Sequence, residues 1–294
     1  MKQDLTAKES SCIFVIGFLL CQILVLLANI IGIVICASQG LDTSTIELFF
    51  NSAVGYLICA SLLDLGMIIC YIYSKNHYNM TSTTKPSIKK CILYAFVGLL
   101  SFLALYPIVS CIDTLIASWG FTYPNTTYPY TTVNYFISII SLVILPAVCE
   151  ELLFRGVIFS GLKRYGKWLS IIITSLMFAI FHMSIYQTIY PILFGILLAG
   201  IMYKEDNIIY CIIAHAINNF TSLTLSYLNV SLIFNHWTYI LLAIFLCISW
   251  LIITILFINR NKSSKTKLSK TEATFLSVSF TIMLILWLIT ISIR

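Results

Sequence analysis

The chain has 294 residues, of which 60% are hydrophobic and only 10% charged. Soluble domains run at about 45–50% apolar and about 25% charged, so this chain has too little charge to coat a water-soluble monomer. With 12 Gly and 6 Pro it is neither disordered nor collagen-like. An all-α, polytopic transmembrane helical bundle is what remains.

Charge-free runs divide the chain. None of Asp, Glu, Lys or Arg stands between Glu9 and Asp42, between Lys167 and Lys204, between Asp206 and Arg260, or between Glu272 and Arg294. A spanning helix needs about 20 apolar residues, so the shorter runs hold one helix and the longest holds two. In chain order the spans are predicted at Ser11–Ala37, Phe49–Tyr73, Cys91–Trp119, Val133–Leu162, Trp168–Ile185, Thr188–Tyr203, Ile208–Leu228, Trp237–Ile258 and Thr274–Ile293. That is eight or nine spans, with the first too long for a signal-peptide core.

The net charge of +6 comes from three short loops. They hold Lys75, Lys85, Lys89 and Lys90; Lys163, Arg164 and Lys167; and Arg260, Lys262, Lys265, Lys267 and Lys270. The intervening loops, Gly120–Thr132 and Leu228–Asn235, carry no charge. Alternation of this kind is a positive-inside signal that puts the N-terminus in the cytoplasm, and it is not a nucleic-acid signal. The ten Cys are scattered without a Cys-x-x-Cys pair and read as small buried apolar residues. Abundant Lys and Ile suggest an AT-rich bacterial genome, hence a bacterial plasma membrane. The chain divides into N-terminal helices (1–132), a core (133–228) and C-terminal helices (229–294), all one membrane unit.

Ionisable residues inside spans cost about 2.5–3.5 kcal/mol each on insertion scales and therefore carry functional hypotheses. They are Asp64, Asp113, Glu150, Glu151, Arg155, His182 and His215, with Asn218 and Asn219 as polar companions. Glu151 and Arg155 are four apart and pair on one helix face, which turns Glu150 about 100° away. Phe178 and His182 share a face, as do His215 and Asn219. At about 1.5 Å per residue, Glu150 lies roughly 20 Å from Lys163 and His182 roughly 22 Å from Lys167. On the same scale His215 and Asn219 lie roughly 13 and 20 Å from Asp206. The fourth to seventh helices thus bring a carboxylate, an imidazole and an imidazole–amide pair to similar depth.

Such a set can drive water onto an amide. Glu150 would act as general base, with His182 holding and polarising the water. His215 and Asn219 would face the developing oxyanion, and Glu151–Arg155 would support the helix. Glu150, His182 and His215 are equally the residues that would hold a zinc ion and let it activate the water. There is no His-Glu-x-x-His and no Gly-x-Ser-x-Gly.

The three pairs resemble the motifs of the CPBP family of intramembrane proteases, which contains type II CAAX prenyl endopeptidases and bacteriocin-processing, Abi-like proteins. Those motifs are Glu-Glu-x-x-x-Arg, Phe-x-x-x-His and His-x-x-x-Asn. They stand here as Glu150-Glu151-x-x-x-Arg155, Phe178-x-x-x-His182 and His215-x-x-x-Asn219, and the likeness covers residues 133–228. It implies an endopeptidase with Glu150 as catalytic glutamate, His182 as its partner on the water, His215 and Asn219 at the oxyanion, and Glu151 and Arg155 needed for integrity or activity. It leaves open whether glutamate or a divalent metal activates the water, so no cofactor is assigned. Eukaryotic members cleave a prenylated C-terminal motif; that substrate is not carried over. A membrane-associated peptide, such as a bacteriocin or signalling-peptide precursor, is expected instead. The alternatives are a non-proteolytic bacteriocin immunity or scaffold protein on the same fold, and a proton-coupled transporter using Asp64 and Asp113. His77 and His236 receive no role.

Overall fold

A computed structural model describes residues 2–40, 42–80, 85–121, 131–228, 230, 237–258 and 266–293. Most of the outer loop Gly120–Thr132, most of Leu228–Asn235, and His236, Arg260, Lys262, Lys265 and Arg294 lie outside the described residues.

Helix α1 covers Ala7–Ser38. It starts earlier than its apolar run because Thr-x-x-Glu forms a capping box, the Thr6 N–H donating to the Glu9 carboxylate at 3.1 Å. The second predicted helix is two pieces. A short α2, Thr43–Phe50, is capped by Asp42, which accepts from the Thr45 N–H at 3.1 Å. Hydrogen bonds from Ser44 and Thr45 hold the Asp42 carboxyl below its ordinary range. The chain then turns at Asn51 and Ser52, and α3 runs Ala53–His77. Gly55 is required at that corner, since a Cβ there would lie 2.1 Å from the Phe49 carbonyl oxygen. Helix α4 is Ile88–Ser118.

Helix α5 is one continuous rod, Thr132–Tyr165, as the fourth predicted span requires. Two of its stretches, Ile139–Ile144 and Leu152–Ile158, are π-helical and bracket the Glu-Glu pair. Helix α6, Lys167–Phe181, stops short of the predicted Ile185, the chain breaking at Met183 with a φ of 49°. Helices α7 (Ile189–Glu205), α8 (Ile208–Tyr227), α9 (Trp237–Ile258) and α10 (Lys270–Ile293) complete the bundle. Among the described residues six helices, α1, α3, α4, α5, α8 and α10, are long and apolar enough to cross a membrane, while α6 and the stretch Ile244–Leu256 of α9 are shorter. The only strands among the described residues are the two-residue β1 (Gln3–Asp4) and β2 (Tyr78–Asn79), paired in parallel.

Two apolar clusters hold the bundle together. One joins α4, α7, α8 and α9 through residues such as Leu105, Phe194, Leu198 and Trp250. The other joins α1, α3, α5, α6 and α10 through Phe14, Met67, Phe154, Phe178 and Met283. Helix α5 contributes to both, Phe159 to the first and Phe154 to the second, so its middle is enclosed by protein rather than lipid. Small residues allow the closest approaches. A Cβ on Gly98 of α4 would lie 2.2 Å from the Ala214 carbonyl oxygen, one residue before His215 on α8.

The basic loops gather at one end of the bundle. There Arg164 pairs with Asp4 at 3.2 Å, Lys163 with Asp206 at 2.5 Å, and Lys90 with Glu205. The Thr266 N–H donates to the Arg164 carbonyl, and Tyr165 donates to Glu272.

Candidate active site

The centre is built on α5. Glu151 and Arg155 have side chains with no solvent exposure and pair at 2.8 Å, as their spacing predicts. The same Glu151 oxygen, Oε1, lies 2.9 Å from Nδ1 of His215 on α8. An ion-paired carboxylate only accepts, so the imidazole proton belongs on Nδ1. Nε2 is thereby turned toward Glu150, whose Oε2 is 3.8 Å away, buried and without a hydrogen-bond partner. One imidazole thus links the two neighbouring glutamates, each through a different nitrogen.

Arg155 ties this group to the rest of the bundle. Its Nη2 donates to the Gly195 carbonyl of α7 at 3.2 Å, and its guanidinium lies 4.7 Å from the centre of the Phe178 ring. Phe178 on α6 is the hub that spacing alone does not give. Its ring meets His182 edge-on at 4.9 Å, His215 at 5.9 Å and Phe154 at 5.1 Å. His182 stands just beyond the last turn of α6, with Nδ1 2.8 Å from the Phe178 carbonyl of its own helix. A carbonyl also only accepts, so His182 likewise carries its proton on Nδ1 and offers Nε2 as an acceptor.

Asn219 is held by a different feature. Its amide donates to the Leu142 carbonyl at 3.1 Å. In an α-helix that carbonyl would accept from residue 146, which is proline and has no N–H. The Asn219 amide donates to that carbonyl across helices, within the first π-helical stretch of α5. Asn218 donates instead to the Tyr190 hydroxyl. The structure therefore gathers Glu150, Glu151, Arg155 and His215 directly, joins His182 to them through Phe178, and places Asn219 on the backbone four residues before Pro146.

Asp64 on α3 faces Cys149 and lies within electrostatic reach of Glu150. Sequence spacing placed it only in a separate span. Asp113 stays apart near the outer end of α4, with one buried oxygen lacking a partner. Imidazole nitrogens and a carboxylate are donor types that suit zinc. Among the described residues, however, no three His, Cys, Asp or Glu side chains come together as a ligand group, so Glu150, His182 and His215 as placed do not fit a metal.

A carboxylate–imidazole–carboxylate centre, sunk in an all-helical membrane bundle beside a buried guanidinium, defines an integral membrane protein with an internal polar site. Residues 132–221, roughly a third of the chain, match the family model described as type II CAAX prenyl endopeptidase Rce1-like. The match spans all three motif pairs and bears out the resemblance to the CPBP family in this segment. No curated protein and no solved structure matches it.

Proposed function

We propose that the chain is an intramembrane endopeptidase that hydrolyses a peptide bond of a membrane-associated peptide or protein with a glutamate-activated water. The observation that carries this reading is the placement of His215, with Nδ1 on Glu151 and Nε2 facing the unpartnered oxygen of Glu150. A neutral imidazole so fixed is an acceptor at Nε2. A water seated there has its two O–H groups directed at Glu150 and His215, and its lone pair is left for the scissile carbon.

As the oxygen–carbon bond forms, Glu150 takes the proton. It returns that proton to the departing amine when the carbon–nitrogen bond breaks. This alters one expectation. His215 with its proton on Nδ1 is not an oxyanion donor in the neutral form, which leaves that task to the Asn219 amide, oriented by Leu142. His182, offering Nε2 from beside Phe178, completes the polar wall.

The substrate class we favour is a bacteriocin or signalling-peptide precursor, in a bacterial plasma membrane with the N-terminus cytoplasmic. The test co-expresses candidate precursors with wild type, Glu150→Ala or His182→Ala and measures released peptide by mass spectrometry. Processing by wild type alone supports the reading. Equal processing by all three removes it, and bacteriocin protection retained in both variants favours the immunity or scaffold alternative.

A further inference from the structure

The site is sealed on one side only. Toward the basic loops, residues 153–159 of α5 are all buried, which encloses the helix on every face for about two turns. Beside them Phe178 of α6 and Cys211 and Ala214 of α8 are buried as well. The packing is close enough that a Cβ on Gly156 would lie 3.1 Å from the Tyr71 ring of α3. Beyond this plug the Arg164–Asp4, Lys163–Asp206 and Lys90–Glu205 pairs close the end of the bundle.

In the other direction the same helices are looser. Glu150 keeps 15% side-chain exposure, whereas Glu151 beside it has none. Pro146, one turn further along α5, is half-buried, and so are His182 and Ser184 past the end of α6 and Asn219 on α8. A carboxyl, an imidazole and an amide left partly uncovered at membrane depth are tolerated where they line a water-filled cavity, and not against lipid. The turn that carries His182 and Ser184 belongs to this half of the bundle: the Tyr186 hydroxyl donates at 2.7 Å to the Phe121 carbonyl, just past the far end of α4.

We propose that the substrate enters from the face opposite the basic loops, which the charge pattern makes the outer face of the membrane. The substrate class is then a peptide that has crossed the membrane or spans it, with its scissile bond reached from outside, and not a tail presented from the cytoplasm. The inference rests on the reading of Glu150 as the group that activates water.

The first test labels the full-length chain in sealed membrane vesicles of both orientations with a membrane-impermeant maleimide, read peptide by peptide by mass spectrometry so that native cysteines are counted separately. Ser184→Cys reports on the turn beside His182, Thr132→Cys marks the start of α5, and Lys267→Cys marks the basic end. Ser184→Cys is expected to be labelled in the same orientation as Thr132→Cys, at least tenfold faster than in the orientation that labels Lys267→Cys. Labelling together with Lys267→Cys, or from neither face, overturns the proposal, whatever the protein cleaves. If Ser184→Cys does not fold, Gln187→Cys takes its place.

A second arm repeats the co-expression with each candidate precursor in two forms, one with its export signal and one with that signal deleted. Wild type is expected to release at least tenfold more peptide from the exported form. Equal or greater release from the form kept in the cytoplasm overturns the proposal. If wild type cleaves neither form of any precursor, the protease reading fails, and the labelling alone decides from which face the site is reached.

Discussion

The Nδ1 atom of His215 lies 2.9 Å from Oε1 of Glu151, and that contact sets which face of the imidazole is available for chemistry. Glu151 and Glu150 are adjacent in sequence yet take opposite tasks around one ring. One holds it at Nδ1, and the other faces its far nitrogen.

Glu151→Gln is expected to abolish activity while keeping side-chain volume. A glutamine amide can donate to Nδ1, which moves the imidazole proton to Nε2 and removes the acceptor facing Glu150. The loss should be on the order of 100-fold or more in kcat. Histidine NMR of the labelled protein should show the tautomer reversed; an unchanged tautomer with full activity would refute this role.

Arg155 should be the more damaging member of the buried ion pair to replace singly. Removing one partner of a buried pair leaves the other uncompensated, at a cost of about 3–5 kcal/mol. Arg155 also holds the Gly195 carbonyl and packs on Phe178. Arg155→Met should sharply lower thermal stability and yield. The double variant Arg155→Met, Glu151→Leu should recover part of the stability and none of the activity. Additive losses in a thermal-melt series would contradict the pairing.

Pro146 and Asn219 should be coupled across helices. Asn219→Ala removes the side-chain hydrogen bond to the Leu142 carbonyl, a loss of about 0.5–1.5 kcal/mol. Pro146→Ala restores a backbone N–H that can serve that carbonyl. Asn219→Ala should therefore destabilise the wild-type background more than the Pro146→Ala background. Pro146→Ala alone should lower activity by releasing the Asn219 amide. A stability cycle with no coupling would show that the contact is incidental.

Chelation separates the two ways of activating water. With Glu150 as the base, activity of the purified protein should survive prolonged treatment with a strong chelator, and elemental analysis should find no stoichiometric zinc. Activity lost on chelation and regained with zinc would replace that chemistry while leaving the residues in place.

Much of the scaffold was legible because membrane burial writes itself into charge gaps. The first, third, fourth and seventh predicted spans correspond closely to α1, α4, α5 and α8. What escaped had no apolar signature. Helix α2 is short and held by the Asp42 cap, and the break before α3 depends on backbone crowding at Gly55. The π-helical turns of α5 leave no periodic mark, although Pro146 does announce an orphaned carbonyl four residues earlier. The Glu151–Arg155 pair followed from spacing within one helix. The Glu151–His215 contact and the nearness of Asp64 to Glu150 join residues far apart in the chain, and only the packing of α3, α5 and α8 reveals them.

The partnership of Glu151 with Arg155 lies wholly inside α5, and this bears on biogenesis. A carboxylate and a guanidinium emerging from the ribosome four residues apart can neutralise one another as soon as their turn winds up. The pair can therefore enter the lipid self-compensated, before α7 and α8 exist to receive its hydrogen bonds, while the neighbouring Glu150 has no counter-ion on α5. Had the counter-ion been placed on a later helix, a bare charge would have had to wait in the translocation channel for its mate to be synthesised.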